Sequence, residues 1–101
     1  MLNEESVLYI RTDYKLDDRV VSEEAAMASM NYLQQTANER YLLAGVFGDM
    51  ETEEVDGAMI LFEAKDLEEA KQISDEDPII KSGFYRYELQ RWNLMVFPTN
   101  N

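Results

Sequence analysis

Leu42-Leu43-Ala44-Gly45-Val46-Phe47 and, beyond an acidic loop, Ala58-Met59-Ile60-Leu61-Phe62 decide the fold of this 101-residue chain. Both stretches are apolar at consecutive positions, the pattern of strands covered on two faces rather than one. Leu42, Ala44 and Val46 point one way in the first stretch, and Leu43, Gly45 and Phe47 the other. In the second, Ala58, Ile60 and Phe62 oppose Met59 and Leu61. The short polar loop from Asp49 to Glu54 lets strands over Tyr41 to Phe47 and Val55 to Glu63 pair as an antiparallel hairpin.

Outward from this hairpin the pattern alternates between strand and helix. Val7-Leu8-Tyr9-Ile10-Arg11-Thr12-Asp13 is rich in β-branched and aromatic residues and reads as a first strand. After a polar connection from Tyr14 to Val21, Ser22 is placed to cap a helix whose first turn carries Glu23 and Glu24. The helix runs to about Asn38, with Ala26, Met30, Leu33 and Ala37 on one stripe and Met27 beside it. Asp66 caps a second helix, Leu67 to about Ser74, with Leu67, Ala70, Lys71 and Ile73 turned inward. Asp77-Pro78 ends it, since proline disfavours the helical region in the residue before it. Pro78 opens a further turn through Lys81, with Gly83 as its stop, and Phe84 to Trp92 is the last strand, extending toward Val96-Phe97. The order β-α-β-β-α-β predicts a single α+β domain over residues 1–101, ferredoxin-like, with a four-stranded antiparallel sheet and two main helices on one face.

Two helices on one side leave the other apolar face of the sheet uncovered. Such a patch exceeds the few hundred Å² that monomers ordinarily expose, so a second copy is expected to close a barrel-like homodimer through the open sheet face. A buried area of about 1,200–2,000 Å² would be ordinary for that contact. The competing expectation is a monomer whose open face is covered by Asn93 to Asn101.

Composition removes several chemistries. There is no cysteine and no histidine, which excludes thiolate nucleophiles, zinc ribbons, serine–histidine triads and imidazole acid/base steps. Nine Lys and Arg against 21 Asp and Glu give a net charge of −12, which argues against nucleic acid as a partner. The acidic N-terminus and the absence of an apolar run near 20 residues point away from a membrane and toward a cytoplasmic protein. No cofactor or metal is expected. The acidic loop Asp49 to Gly57 lacks the glycine and closing glutamate of a calcium loop, and Gly45-Val46-Phe47-Gly48 lacks the third glycine of a dinucleotide fingerprint. Met27, Met30 and Met59 are expected as core fillers.

The strands Tyr41 to Gly45 and Gly57 to Glu63, followed by Asp66-Leu67-Glu68-Glu69-Ala70, Asp77-Pro78 and Gly83, together resemble YciI-like (YCII-related) proteins over roughly residues 7 to 92. The resemblance implies a dimeric α/β barrel. It also implies an acid/base pair proposed for the family, a histidine on the first helix and the aspartate of the Asp-Pro motif; one relative is a dehydrochlorinase. Asp77 matches the aspartate, but the histidine position falls near Ala28 or Ser29 and the chain has no histidine. The dyad is broken.

Asp77 is the candidate catalytic residue, as a general base if burial raises its pKa, or else simply a cap for the turn opened by Pro78. If Leu8 and Ile10 face the helices, Arg11 looks into the space between two sheets and is a candidate for gripping a carboxylate or phosphate. Its other expected role is a salt bridge to Glu88, Asp13 or the partner chain. Tyr14, Tyr32 and Tyr85 are candidate ligand-binding phenols, with packing as their ordinary alternative. Two functions follow: a homodimeric small-molecule binding or interaction module that lacks the family's histidine, or a lyase or isomerase acting on a small acidic or aromatic metabolite with Asp77 as base.

Overall fold

A computed structural model describes residues 5–49, 51–52, 54–96 and 98. Strand β1 (Leu8–Lys15) leads to α1 (Glu23–Glu39), β2 (Leu42–Asp49) and β3 (Glu54–Glu63) form the hairpin, and α2 (Leu67–Asp75) and the single turn α3 (Pro78–Lys81) precede β4 (Tyr85–Trp92). The four strands make one sheet in the order β2-β3-β1-β4, with every neighbouring pair antiparallel. This is the ferredoxin-like α+β arrangement read from the sequence. Beyond Trp92 the chain from Asn93 to Val96 has no regular structure, so β4 does not extend to Val96; Phe97 lies outside the described residues, as do Met50 and Glu53 of the hairpin loop.

Side-chain caps place all three helices. The Ser22 hydroxyl accepts from the Ala25 N–H (3.1 Å), the Asp66 carboxylate from Glu69 (2.9 Å) and the Asp77 carboxylate from Ile79 (3.0 Å). Each satisfies an N–H that the first turn would otherwise leave unpaired, an effect of about 0.5–2 kcal/mol per cap. At the hairpin the β2–β3 register shifts between Phe47 and Gly48, whose partners Gly57 and Val55 skip Asp56, so the extra residue of the bulge lies on β3, opposite the outermost strand β2. Gly57 lies against β1 so closely that a Cβ there would stand 2.5 Å from the Asp13 carbonyl oxygen.

The register reverses the expected faces of β1. Tyr9, Arg11 and Asp13 stand opposite Phe62, Ile60 and Ala58 on β3, and directly paired residues share a face. Tyr9, Ile60 and Phe62 form the core together with Ala64 and with Ala70 of α2, so this is the helix side. Leu8 and Ile10 therefore face the side away from the helices, where Leu8 is nonetheless fully buried, and Arg11 does not look out between two sheets. Hydrophobicity alone picks the wrong face because the polar side chains of β1 are satisfied by partners beneath the helices. Full burial of a side chain such as Phe62 contributes about 1.5–3 kcal/mol.

The helices are also rolled relative to the expected stripes. On α1 the buried positions are Ser29 and Thr36, with Leu33 packed on the core, while Met27 and Met30 are 54% and 67% exposed and fill no core. Met59, the third expected filler, lies on the open face and is also exposed. On α2, Ala70 and Ser74 are buried, whereas Leu67 and Lys71 point outward. Small residues at the contact, with the Ser74 hydroxyl donating to the Ala70 carbonyl (2.8 Å), let α2 sit close to the sheet. On the open face Leu43 and Phe47 are exposed, and Met95 and Val96 of the tail point to solvent rather than covering them.

Candidate functional site

Beneath α1 and α3 three charged side chains from two distant segments meet. Arg11 is 1% exposed and grips Asp13 two residues along β1 with a two-pronged contact, Nε to Oδ1 at 2.7 Å and Nη2 to Oδ2 at 2.6 Å. Its third nitrogen, Nη1, stands 3.0 Å from Asp77 Oδ2. That last approach is an ion pair, and among the described residues Asp77 Oδ2 has no partner in hydrogen-bond geometry. Asp77 itself is fully buried, with Oδ1 held by the Ile79 N–H. One guanidinium and two carboxylates leave the cluster with a formal charge of −1.

Burial pushes the Asp13 carboxyl above its ordinary value, the charge of Asp77 adds to this, and Arg11 only partly opposes it. Burial works against the Arg11 charge, yet Asp13 and Asp77 outweigh it and hold the guanidinium above its ordinary value. Arg11 is thus already committed to two carboxylates of its own chain, the salt-bridge role. The expected partner Glu88 instead stands 3.6 Å from Arg86 on β4.

Two of the three candidate tyrosines lie around this cluster. Tyr32 of α1 donates its hydroxyl to the Ile73 carbonyl of α2 (2.6 Å); burial, then the charges of Glu76 and Asp77, raise its pKa. Tyr85 opens β4, and burial and the charge of Asp13 raise its pKa. Tyr14 is not part of the group. It faces the open side of the sheet, under the Arg86 guanidinium at 4.4 Å from the ring centre. Tyr87, directly opposite Asp13, completes the phenol rim. It donates to Asp75 Oδ1 at 2.5 Å, and its pKa is pushed up to about 12 by burial and that bond.

Asp13 is the residue whose central position the sequence reading missed. Its signal was there: a charged pair at alternate positions of β1, in phase with Tyr9, is unusual on a core face unless the charges pair with each other. A groove of about 200 Å³ between α1 and α2 has Tyr32, Thr36, Arg40, Ile73 and Glu76 among its lining residues and does not include Asp77. Arg40 is tied there to Glu69 (2.7 Å) and to the Glu63 carbonyl (3.2 Å). Among the described residues no cluster of acidic side chains is placed to hold a metal ion, and no helix is long and apolar enough to cross a membrane. Chemically, the cluster offers a raised carboxyl beside a fixed positive charge, with three phenols around it.

No curated protein matches the sequence. Among solved structures the fold resembles 5-chloro-2-hydroxyhydroquinone dehydrochlorinase (TftG) from Burkholderia phenoliruptrix, determined in complex with 2,5-dihydroxybenzoquinone. The likeness has a TM-score of 0.73 at 17% sequence identity and covers 85% of this chain and 93% of that one. The profile of the YCII-related domain matches residues 7–93, taking in all four strands, the three helices and the whole buried cluster. By sequence and by architecture, the chain belongs to the YCII-related domain family.

Proposed function

We propose that this protein is a homodimeric small-molecule binding module of the YCII-related family that works without the family's imidazole. The observation that carries this reading is the state of Asp77: fully buried, capping α3 and paired with Arg11, in a chain with no histidine to share a proton with it. A base must reach the proton it abstracts, and a carboxylate closed off in this way does not. The ligand class is a small polar ring compound, held at the rim of Tyr32, Tyr85 and Tyr87. Support comes from those phenols and from the dihydroxybenzoquinone bound by the structurally similar TftG.

The dimer is part of the proposal. Leu43, Phe47, Met59 and Trp92 are exposed on the open face, and burying them against a second copy removes an apolar patch from water. Light scattering should then report twice the 11.8 kDa chain mass at micromolar concentration. A monomer there would remove the dimer from the proposal.

A lyase or isomerase acting on a small acidic or aromatic metabolite is the second reading, and one observation favours it: among the described residues Asp77 Oδ2 accepts no hydrogen bond, its contact being the charge of Arg11. One experiment separates the two. Calorimetry with 2,5-dihydroxybenzoquinone should show binding, while incubation with the chlorinated hydroxyhydroquinone should release no chloride. Chloride release that disappears in Asp77→Asn would replace the binding module with the enzyme.

A further inference from the structure

The groove of about 200 Å³ between α1 and α2 has a consistent chemistry that the ring-binding reading does not use. Each hydroxyl on its wall has its single proton committed inside the protein, Tyr32 to the Ile73 carbonyl (2.6 Å) and Thr36 to the Tyr32 carbonyl (2.9 Å). Both oxygens therefore offer the groove only lone pairs. Glu39 and Glu76 line it as well, both exposed. Neither forms an ion pair or a side-chain hydrogen bond among the described residues, although those residues include all nine Lys and Arg of the chain. The two carboxylates also sit where negative charge is disfavoured. Glu39 is the last residue of α1 and Glu76 is the C-cap of α2, at the negative ends of two helix dipoles, and neither helix has a basic residue in its last turn. Arg40, which follows α1, is turned to Glu69 and the Glu63 carbonyl and leaves Glu39 uncompensated. An added cation would relieve both conflicts.

We propose that this groove binds an aliphatic diamine, with one ammonium at Glu76 and the Tyr32 hydroxyl oxygen, the other at Glu39, and the stem over Thr36 and Ile73. The two carboxylates mark opposite ends. Glu76 stands near enough to Tyr32 for its charge to act on that phenol, whereas Glu39 lies two helical turns beyond Tyr32, about 10 Å along the axis of α1. Size fits the same class. At about 30 Å³ for each water-sized group, the groove holds roughly six or seven of them, enough for four carbons and two nitrogens. A metal ion fits less well, because among the described residues no group of carboxylates converges closely enough to hold one. The groove meets the phenol rim only at Tyr32 and is not lined by Tyr85 or Tyr87, so this site goes beyond the ring-binding reading and does not depend on it.

Amide NMR titration of the full chain at low salt, with putrescine, butylamine and 1,4-butanediol as probes, tests the site. Putrescine should shift the amides of residues 32–40 and 73–76 saturably and bind about fivefold tighter than butylamine, the gain from a second exposed charge pair. The uncharged diol should leave those amides in place. Glu39→Gln and Glu76→Gln should each reduce the diamine's advantage to the factor that two identical ends give by counting. Glu68→Gln, on the exposed first turn of α2 and outside the groove, changes the net charge equally and should keep the advantage. With no amine present, Glu39→Gln and Glu76→Gln should each unfold at a slightly higher urea concentration than wild type, because a carboxylate leaves a helix C-terminus. The site is overturned by the lack of a saturable shift, by a diol that acts as the diamine does, or by loss of the advantage in Glu68→Gln. That last result would mark a general attraction to a chain of charge −12. A lower urea midpoint in either groove variant overturns it too, since the carboxylate would then already have a partner within the chain.

Discussion

Two arginine–aspartate pairs, each separated by one residue in sequence, lie within nine residues of each other: Arg11 with Asp13 on β1, and Asp17 with Arg19 in the loop after it. Their contacts are alike, yet the first pair is almost completely buried and the second is half exposed. The carboxylates consequently move in opposite directions. Burial wins over Arg11 and raises Asp13, whereas the hydrogen bonds from Arg19 lower Asp17, where desolvation is slight. The same two residue types thus form a buried pair of large effect in one place and a weak surface pair in the other, and burial is the main difference between them.

The largest effect should come from breaking the buried pair. Arg11→Met leaves two carboxylates without a counter-charge and should cost about 3–5 kcal/mol in urea unfolding. Arg19→Met should cost well under about 1 kcal/mol. Comparable losses in the two variants would show that burial does not separate the pairs.

A subtler break uses pH. Because Asp13 is raised in the folded state, the native protein holds that proton more tightly than the unfolded chain. Its contribution to stability is therefore fully present at low pH and is lost as pH rises above 3.8 through the folded-state value. Asp17 is lowered, so its small contribution is present at neutral pH and lost as pH falls toward and below 3.8. Urea midpoints of wild type and Asp13→Asn, compared from pH 3 to 7, should differ by an amount that changes with pH. A constant difference would mean Asp13 titrates alike in both states.

Tyr32→Phe removes the bond to the Ile73 carbonyl and should cost about 1 kcal/mol. The loss should leave the pH dependence of Asp13 in place, and a changed profile would make Tyr32 part of the charge cluster. Asp77→Asn keeps the cap, since asparagine caps a helix as well as aspartate does, so its stability cost should come from the lost charge contact with Arg11. Removing a negative charge from a cluster of −1 also relieves Asp13, so its pKa should drop. NMR titration of the Asp13 carboxyl carbon checks this, and an unmoved pKa would mean the two carboxylates do not sense each other.

The sequence carried the topology because its cues were local: continuous apolar runs in β2 and β3, the caps Ser22 and Asp66, and the stop at Asp77-Pro78. The candidate site was legible only in part. Asp77 and Tyr85 were found from position and residue type, and they do converge, with Arg11, on one cluster. The facing of β1 was lost because period-2 alternation identifies two faces without saying which is inside. The pairing of Arg11 with Asp77, from segments far apart in sequence, joins the local Arg11–Asp13 pair in making that burial possible. Met27 and Met30 misled for a related reason: α1 turns Ser29, Leu33 and Thr36 inward and reaches α2 through Tyr32 and Ile73, contacts that no local spacing records.

The bulge at Phe47 and Gly48 affects how these molecules behave when crowded. An outermost strand with free backbone donors and acceptors invites a stranger's strand to add itself, and then another, which is how fibrils begin. Here the extra residue Asp56 on β3 increases the local twist of the pair beside Gly48, which turns the end of β2 away from a flat template. That irregularity, together with a strong surplus of negative charge on every copy, should keep concentrated solutions clear of such growth.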